Sequence, residues 1–213
     1  MTMKKLNPTL RQGTPWIPAI LFLIGLGVLI SCTKKVADDS AGAGLFVADS
    51  VYVQRGNLIV AGTFDTLRKS LFQAISSQNF EAAITFCREQ AYPITATYAD
   101  TVDIRRTSLR VRNLNNRPDS LELAVLIEMG NQVQAAQTPD PKIVRKPSSG
   151  EIHFFKPILL QPMCLNCHGT PGQQIQNNTL ARIQQLYPND QAVNFREGDL
   201  RGIWHITFYA DKE

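Results

Sequence analysis

Met163-Cys164-Leu165-Asn166-Cys167-His168-Gly169 sets two cysteines three positions apart, with a histidine directly after the second. Whatever fold this chain takes must present both thiols and the imidazole on one short turn. Cys-x-x-Cys-His is the attachment sequence for c-type haem: each thiol adds across a vinyl group to form a thioether, and the adjacent histidine binds the iron from one side. A covalently held haem needs no deep pocket to retain it, so a small domain can carry one. Structural zinc would want a second ligand pair, and no other Cys-x-x-Cys and no His-x₃-His exists here. A thioredoxin-like pair belongs at a helix start after a strand near the front of its domain, whereas this one comes late. At this composition the pattern is expected by chance only about 0.001 times. The reading is therefore one covalent haem c on Cys164, Cys167 and His168.

The start of the chain supports that reading. Residues Met1 to Trp16 are polar and basic, and Ile17 to Ile30 is an apolar run of 14 residues. That run is short for a membrane span and suits a signal peptide. It ends in Leu29-Ile30-Ser31-Cys32, which resembles the bacterial lipobox, where the cysteine receives a diacylglycerol and the leader is cleaved before it. An uncleaved anchor helix with an incidental cysteine is the alternative. Either places the domain outside the cytoplasm, in the bacterial cell envelope, tethered to a membrane and facing the periplasm or the surface. Haem is attached through thioethers in that compartment. The expected organisation is a lipoprotein signal over 1–31, a flexible tether over 32–55 and one haem domain over 56–213.

Charge adds an exclusion. The net charge is +4, but Lys4, Lys5 and Arg11 lie in the leader, and without them 19 basic residues face 18 acidic ones. The basic balance belongs to targeting and gives no argument for nucleic acid. Apolar residues make up 44% and charged residues 19%, a globular composition.

Helical periodicity sets in at Thr63, with Phe64, Leu67, Leu71 and Ile75 on one face. A second helix begins near Phe80, and Phe80, Ala83, Ile84, Cys87, Ala91 and Ile94 share its apolar side, so Cys87 is expected to be buried. Pro93 should kink or end it. A strand is expected over Thr107–Arg112. A third helix over about Ser120–Gln137 offers Leu121, Val125, Ile127 and Met129. Ile143-Val144 and Ile152–Leu160 read as strands joined through Pro147-Ser148-Ser149-Gly150. A short helix near Asn178–Leu186 precedes a final strand, Gly202–Tyr209. This order suits an α+β domain with an antiparallel sheet flanked by helices, and not the all-helical cytochrome c fold.

Several stretches together carry a resemblance. They are Ile84-Thr85-Phe86-Cys87, Ala91-Tyr92-Pro93-Ile94-Thr95, Arg106–Asn113, Asn115-Asn116-Arg117-Pro118-Asp119 and Phe155-Lys156-Pro157-Ile158. The haem motif, Tyr187-Pro188 and Phe195–Gly202 complete the set. The pattern is similar to that of the PAS-like c-type haem proteins first described in cyanobacteria. It covers roughly residues 60 to 210. The resemblance implies a PAS-like sheet carrying one haem c whose iron is bound by histidine and cysteine, positions that fall on His168 and Cys87.

The residues by themselves leave alternatives open. Cys87 could be a small core hydrophobe, and His153, His205, Met129 and Met163 are other candidates for the second axial ligand. His205 alternates with Trp204 and Ile206, which puts it on what should be the wetter face, and His153 beside the turn should be exposed. Arg106, Arg110 and Arg112 would share one strand face, either neutralising haem propionates or facing solvent. A six-coordinate iron favours low-potential electron transfer or redox or gas sensing, with a separate redox or signalling protein as partner. The alternative is a haem enzyme, a peroxidase or small-molecule reductase, which needs an openable iron position and a distal acid–base group.

Overall fold

The computed structural model describes residues 48–77, 79–95 and 102–209. The leader, the lipobox with Cys32 and most of the expected tether lie outside the described residues. The tether's end is corrected: helix α1 runs from Asp49 to Ser77, so residues 49–55 are helical. Its inward face is Tyr52, Gly56, Val60, Thr63 and Leu67, while Phe64 is exposed. The apolar period begins a full three turns before Thr63 and was hidden by the small and polar residues sharing that face.

Helix α2 (Phe80–Thr95) continues two residues past Pro93. Strand β1 spans Val102–Thr107, helix α3 Ser120–Gln134, strand β2 Lys142–Lys146 and strand β3 Glu151–Leu159. After the motif come α5 (Asn177–Leu186) and β4 (Leu200–Phe208). The motif itself occupies α4 (Leu165–His168). The four strands form one open sheet in the order β1-β4-β3-β2, antiparallel throughout. This is the α+β arrangement expected of the sequence. The β2–β3 hairpin turns at Pro147–Gly150, with Gly150 at φ 71°, a conformation that costs other residues more.

Strand alternation sends side chains to two covered faces. Trp204, Ile206 and Phe208 join Val102, Ile152 and Phe154 beneath Tyr52, Val60 and Leu67 of α1. Ile203 and Phe155 lie on the opposite face beneath Val125, Leu126 and Met129 of α3. Full burial of each large apolar side chain contributes about 1.5–3 kcal/mol. Helix α3 is started by a capping box in which Asp119 accepts from the Glu122 amide at 2.8 Å and Glu122 accepts from the Asp119 amide at 2.9 Å. Its buried stripe is Val125-Leu126-Met129, with Ile127 exposed. With α3 covering this face, His205 and His153 are both buried, against the expectation of a wet face and an exposed turn.

Gly56 marks the closest approach of α1 to the sheet. A Cβ there would sit 2.5 Å from the Phe154 ring, which is wholly buried. Gly56→Ala is expected to destabilise the protein by about 1–3 kcal/mol in urea titrations through overpacking. Gly130→Ala, where a Cβ meets nothing within 4 Å, should instead stabilise by about 0.5–1 kcal/mol through helix propensity. Equal effects at both positions would show that α1 does not press on Phe154.

Candidate functional site

The motif lies in the excursion between β3 and β4. A 3-10 turn, Pro162–Cys164, leads into the single turn of α4, so Cys164, Cys167 and His168 follow one another around one helical path. The Gly169 amide closes that turn on the Leu165 carbonyl at 2.9 Å. A Cβ on Gly169 would stand 2.7 Å from the same carbonyl oxygen and 2.8 Å from the Gln174 side chain, so no larger residue fits as placed. A second loop is laced to the motif: the Asn194 amide donates to Gly169 O at 2.8 Å and the Phe195 amide to His168 O at 2.9 Å.

His168 Nδ1 lies 2.8 Å from the Ala192 carbonyl oxygen. A carbonyl only accepts, so Nδ1 carries the proton and Nε2 keeps its lone pair. Burial first, then the charges of Arg201 and Arg112, hold the imidazole pKa well below its ordinary range, with the Ala192 bond opposing. At neutral pH this is a neutral imidazole with its tautomer fixed and Nε2 available, the form in which histidine binds a metal.

Arg112 fixes the Ala192 carbonyl. Its guanidinium meets both oxygens of Asp190 at 3.1 Å and also donates to Cys167 O at 2.6 Å and Ala192 O at 3.1 Å. Both partners are nearly buried, at 11% and 7% exposure. Asp190 also accepts from the Ala192 amide at 2.9 Å, and Gln191 donates to Val111 O at 3.0 Å. Arg110 reaches the same loop, donating to Gln191 O at 3.1 Å and to Val193 O. It lies 4.1 Å over the Phe195 ring, which Arg201 approaches at 5.6 Å and which meets His168 edge-on at 6.3 Å.

The expected strand over Thr107–Arg112 is corrected. β1 ends at Thr107, and the Ser108 hydroxyl donates to Arg201 O at 2.6 Å and accepts from the Arg110 amide at 3.1 Å, turning the chain off the ladder. Arg106, Arg110 and Arg112 therefore do not share a strand face. Arg106 lies over Trp204 at 5.4 Å, while Arg110 and Arg112 act as clamps on the motif's loop.

Cys87 is a second correction. Its side chain is accessible to solvent, yet desolvation by the surrounding protein still pushes its thiol pKa up, against the charges of Arg106 and then Arg112. Ile84, one turn earlier, packs with Ile175 and Ile183, and that cluster touches Cys167 and Tyr187. Cys87 interacts electrostatically with Cys167, Arg106, Arg112 and Tyr187, so the structure brings it to the motif's side of the domain. Three of the four rival ligands are engaged elsewhere, while Met163 lies beside the motif in the Pro162–Cys164 turn. Met129 is core, and His153 and His205 bond to each other on the opposite sheet face.

Neither motif cysteine is in a disulfide. Burial pushes the Cys167 pKa up to about 11, with Cys87 and Cys164 adding and Arg112 opposing. A thioredoxin-like dithiol needs the reverse, a depressed value. Among the described residues no group of three or more His, Cys, Asp or Glu is placed to hold one ion. Asp190, Phe195 and Arg201 were not readable as site residues, because each acts through a contact that closes only in three dimensions. The stretch Phe195–Gly202 stood out only by resemblance.

A family model described as Tll0287-like matches residues 39–208. The chain belongs to the Tll0287-like family. Among solved structures, the cyanobacterial heme-protein Tll0287 is similar at 25% identity, over 72% of this chain and 96% of that one, with a TM-score of 0.48. No curated protein matches.

Arg112→Ala is expected to cost about 3–5 kcal/mol, the range for leaving a buried partner unpaired. It should also speed amide exchange at Ala192 and Phe195. Arg112→Lys keeps the charge but not the fork and should recover less than half the loss. Full recovery by lysine in denaturation and exchange measurements would show that charge alone, not the bridging geometry, holds the loop.

Proposed function

We propose that this chain is an exported, membrane-anchored haem c protein, serving low-potential electron transfer or redox or gas sensing with a separate protein partner. The observation that carries the reading is Cys164-x-x-Cys167-His168 on a single turn, with His168 Nδ1 committed to Ala192 and Nε2 bare. Membership of a family with a member titled a heme-protein adds support. The two motif thiols would hold one haem through thioethers, and His168 Nε2 and Cys87 Sγ would hold its iron. When bound, such a group supplies one-electron exchange.

The chain's own residues account for the rest. Ala192 and Arg112 orient the imidazole. Arg106 and Arg112 favour the thiolate form of Cys87 against its burial, and a thiolate stabilises the higher charge on iron. Of the three arginines expected to meet propionates, Arg106 would take that role, since Arg110 and Arg112 are largely committed to backbone carbonyls. The haem-enzyme reading asks for a distal acid–base group, and the two other histidines are bonded on the far face of the sheet. Anchoring rests on the lipobox. Cys32→Ala should shift the protein out of the membrane fraction or leave its leader uncleaved, read by fractionation and intact mass.

A pyridine haemochrome spectrum should show one covalent haem per chain. Haem that extracts into acidified butanone would overturn the attachment. Replacing Cys87 by Ala should raise the midpoint potential on the order of 0.1 V, a small part of the ~0.8 V that axial ligation spans, and change the ferric low-spin resonance. An unchanged midpoint and unchanged g-values would remove Cys87 from the iron.

A further inference from the structure

Beneath α3, a chain of polar side chains crosses the covered face of the sheet. Glu122, fully buried, accepts from the Asp119 amide at 2.9 Å, lies 2.7 Å from His205 Nδ1, and forms an ion pair with Arg105, whose Nε is 3.1 Å away. His205 Nε2 lies 2.9 Å from His153 Nδ1, and the Thr207 hydroxyl stands 3.3 Å from both atoms. Phe155 stacks on the His205 ring at 4.4 Å. His153 Nε2 is buried with no hydrogen-bond partner among the described residues. The nearest charge to it is Glu151 Oε2 at 3.5 Å, which also takes Ser149 Oγ at 2.9 Å and faces Lys146 Nζ at 3.5 Å across the hairpin.

The protons follow from the partners. A carboxylate oxygen only accepts, so the 2.7 Å contact places a hydrogen on His205 Nδ1. In the tautomer with that one ring hydrogen, His205 accepts at Nε2, and the hydrogen in the bond between the rings belongs to His153 Nδ1. That leaves His153 Nε2 as a bare acceptor facing a carboxylate. A buried acceptor without a donor costs about 1–3 kcal/mol. The one light ligand that removes this mismatch is a proton, which turns two facing lone pairs into an N–H⁺···O⁻ pair.

We propose that Glu122, His205 and His153 form one proton-binding site whose open position is His153 Nε2, and that proton uptake there draws Glu151 and the β2–β3 turn onto the buried network. The site lies on the sheet face away from Trp204 and Arg106, so it does not depend on the haem reading. Facing it are Glu122 from α3, Arg105 from β1, His205 and Thr207 from β4, Lys146 from β2 and Glu151 from β3. His153 is covered from solvent. That desolvation, then His205 and Lys146, lower its pKa, against Glu151. The sign follows: the unfolded chain protonates first as pH falls through the ordinary value of 6.5, so stability drops from there until the folded His153 also titrates.

The test is a pH titration of full-length protein labelled with ¹⁵N-histidine. The chain has three histidines, and His168 is identified separately by substitution. At neutral pH both His153 and His205 should be Nδ1–H tautomers. One titration, centred below the ordinary imidazole range, should move both residues' signals together, with the proton arriving at His153 Nε2. Glu151→Gln, a change at the hairpin surface, should weaken proton binding about threefold or more, roughly half a pH unit. A His153 Nε2–H tautomer at neutral pH, independent titration of the two rings at ordinary values, or no response to Glu151→Gln would each overturn the proposal.

Discussion

The pairing of Arg112 with Asp190 is the interaction on which the site depends. One guanidinium bridges a carboxylate, a carbonyl inside the motif and the carbonyl that receives the His168 proton. The planar fork lets Arg112 serve all three at once, which an ammonium on a flexible stem does not match. A buried pair of this kind adds little to net stability against an apolar substitute. Its value is definition: it fixes where Ala192 O stands, and so which nitrogen of His168 remains bare. Sharing that carbonyl between two donors also weakens it as an acceptor from either. The imidazole is thereby oriented without being pushed far toward an electron-rich, imidazolate-like state.

The elements that were legible in the sequence are those built from local pattern. The β2–β3 hairpin followed from its Pro-Ser-Ser-Gly turn, and α5 and β4 fell within two residues of expectation. Misreadings came where a third layer or a side-chain bond overrides pattern. Leu109 and Val111 alternate like strand residues, but Ser108 captures the backbone and ends the ladder first. His205 looked wet because its neighbours are apolar, and α3 covering it is a tertiary fact. Cys87 sits on an apolar helical period yet remains accessible, because its helix packs against α5 through Ile84 rather than through the thiol.

The sheet is covered on both faces, and the two faces are used differently. The α1 face is apolar and tight enough to require a glycine over Phe154. The α3 face mixes Val125, Leu126 and Met129 with a polar chain ending in an unpaired nitrogen. Buried polar chains of this kind make the register between strands specific, because a one-residue slip would send His153 and His205 to opposite faces and orphan Glu122.

The motif's place in the topology carries a consequence for assembly. β3 and β4 are hydrogen-bonded neighbours down to Leu159 and Leu200, so everything from 160 to 199 is a long loop whose ends are already held together. The entropy of closing a loop grows only as the logarithm of its length, so the sheet gives up little by hosting so large an insertion. The scaffold can form while the excursion is still open, with Arg110, Arg112 and Gln191 as the late fasteners to the β1 side. Closure of the excursion and folding of the sheet are thus separable steps, which would keep Cys164 and Cys167 reachable for the covalent attachment proposed above.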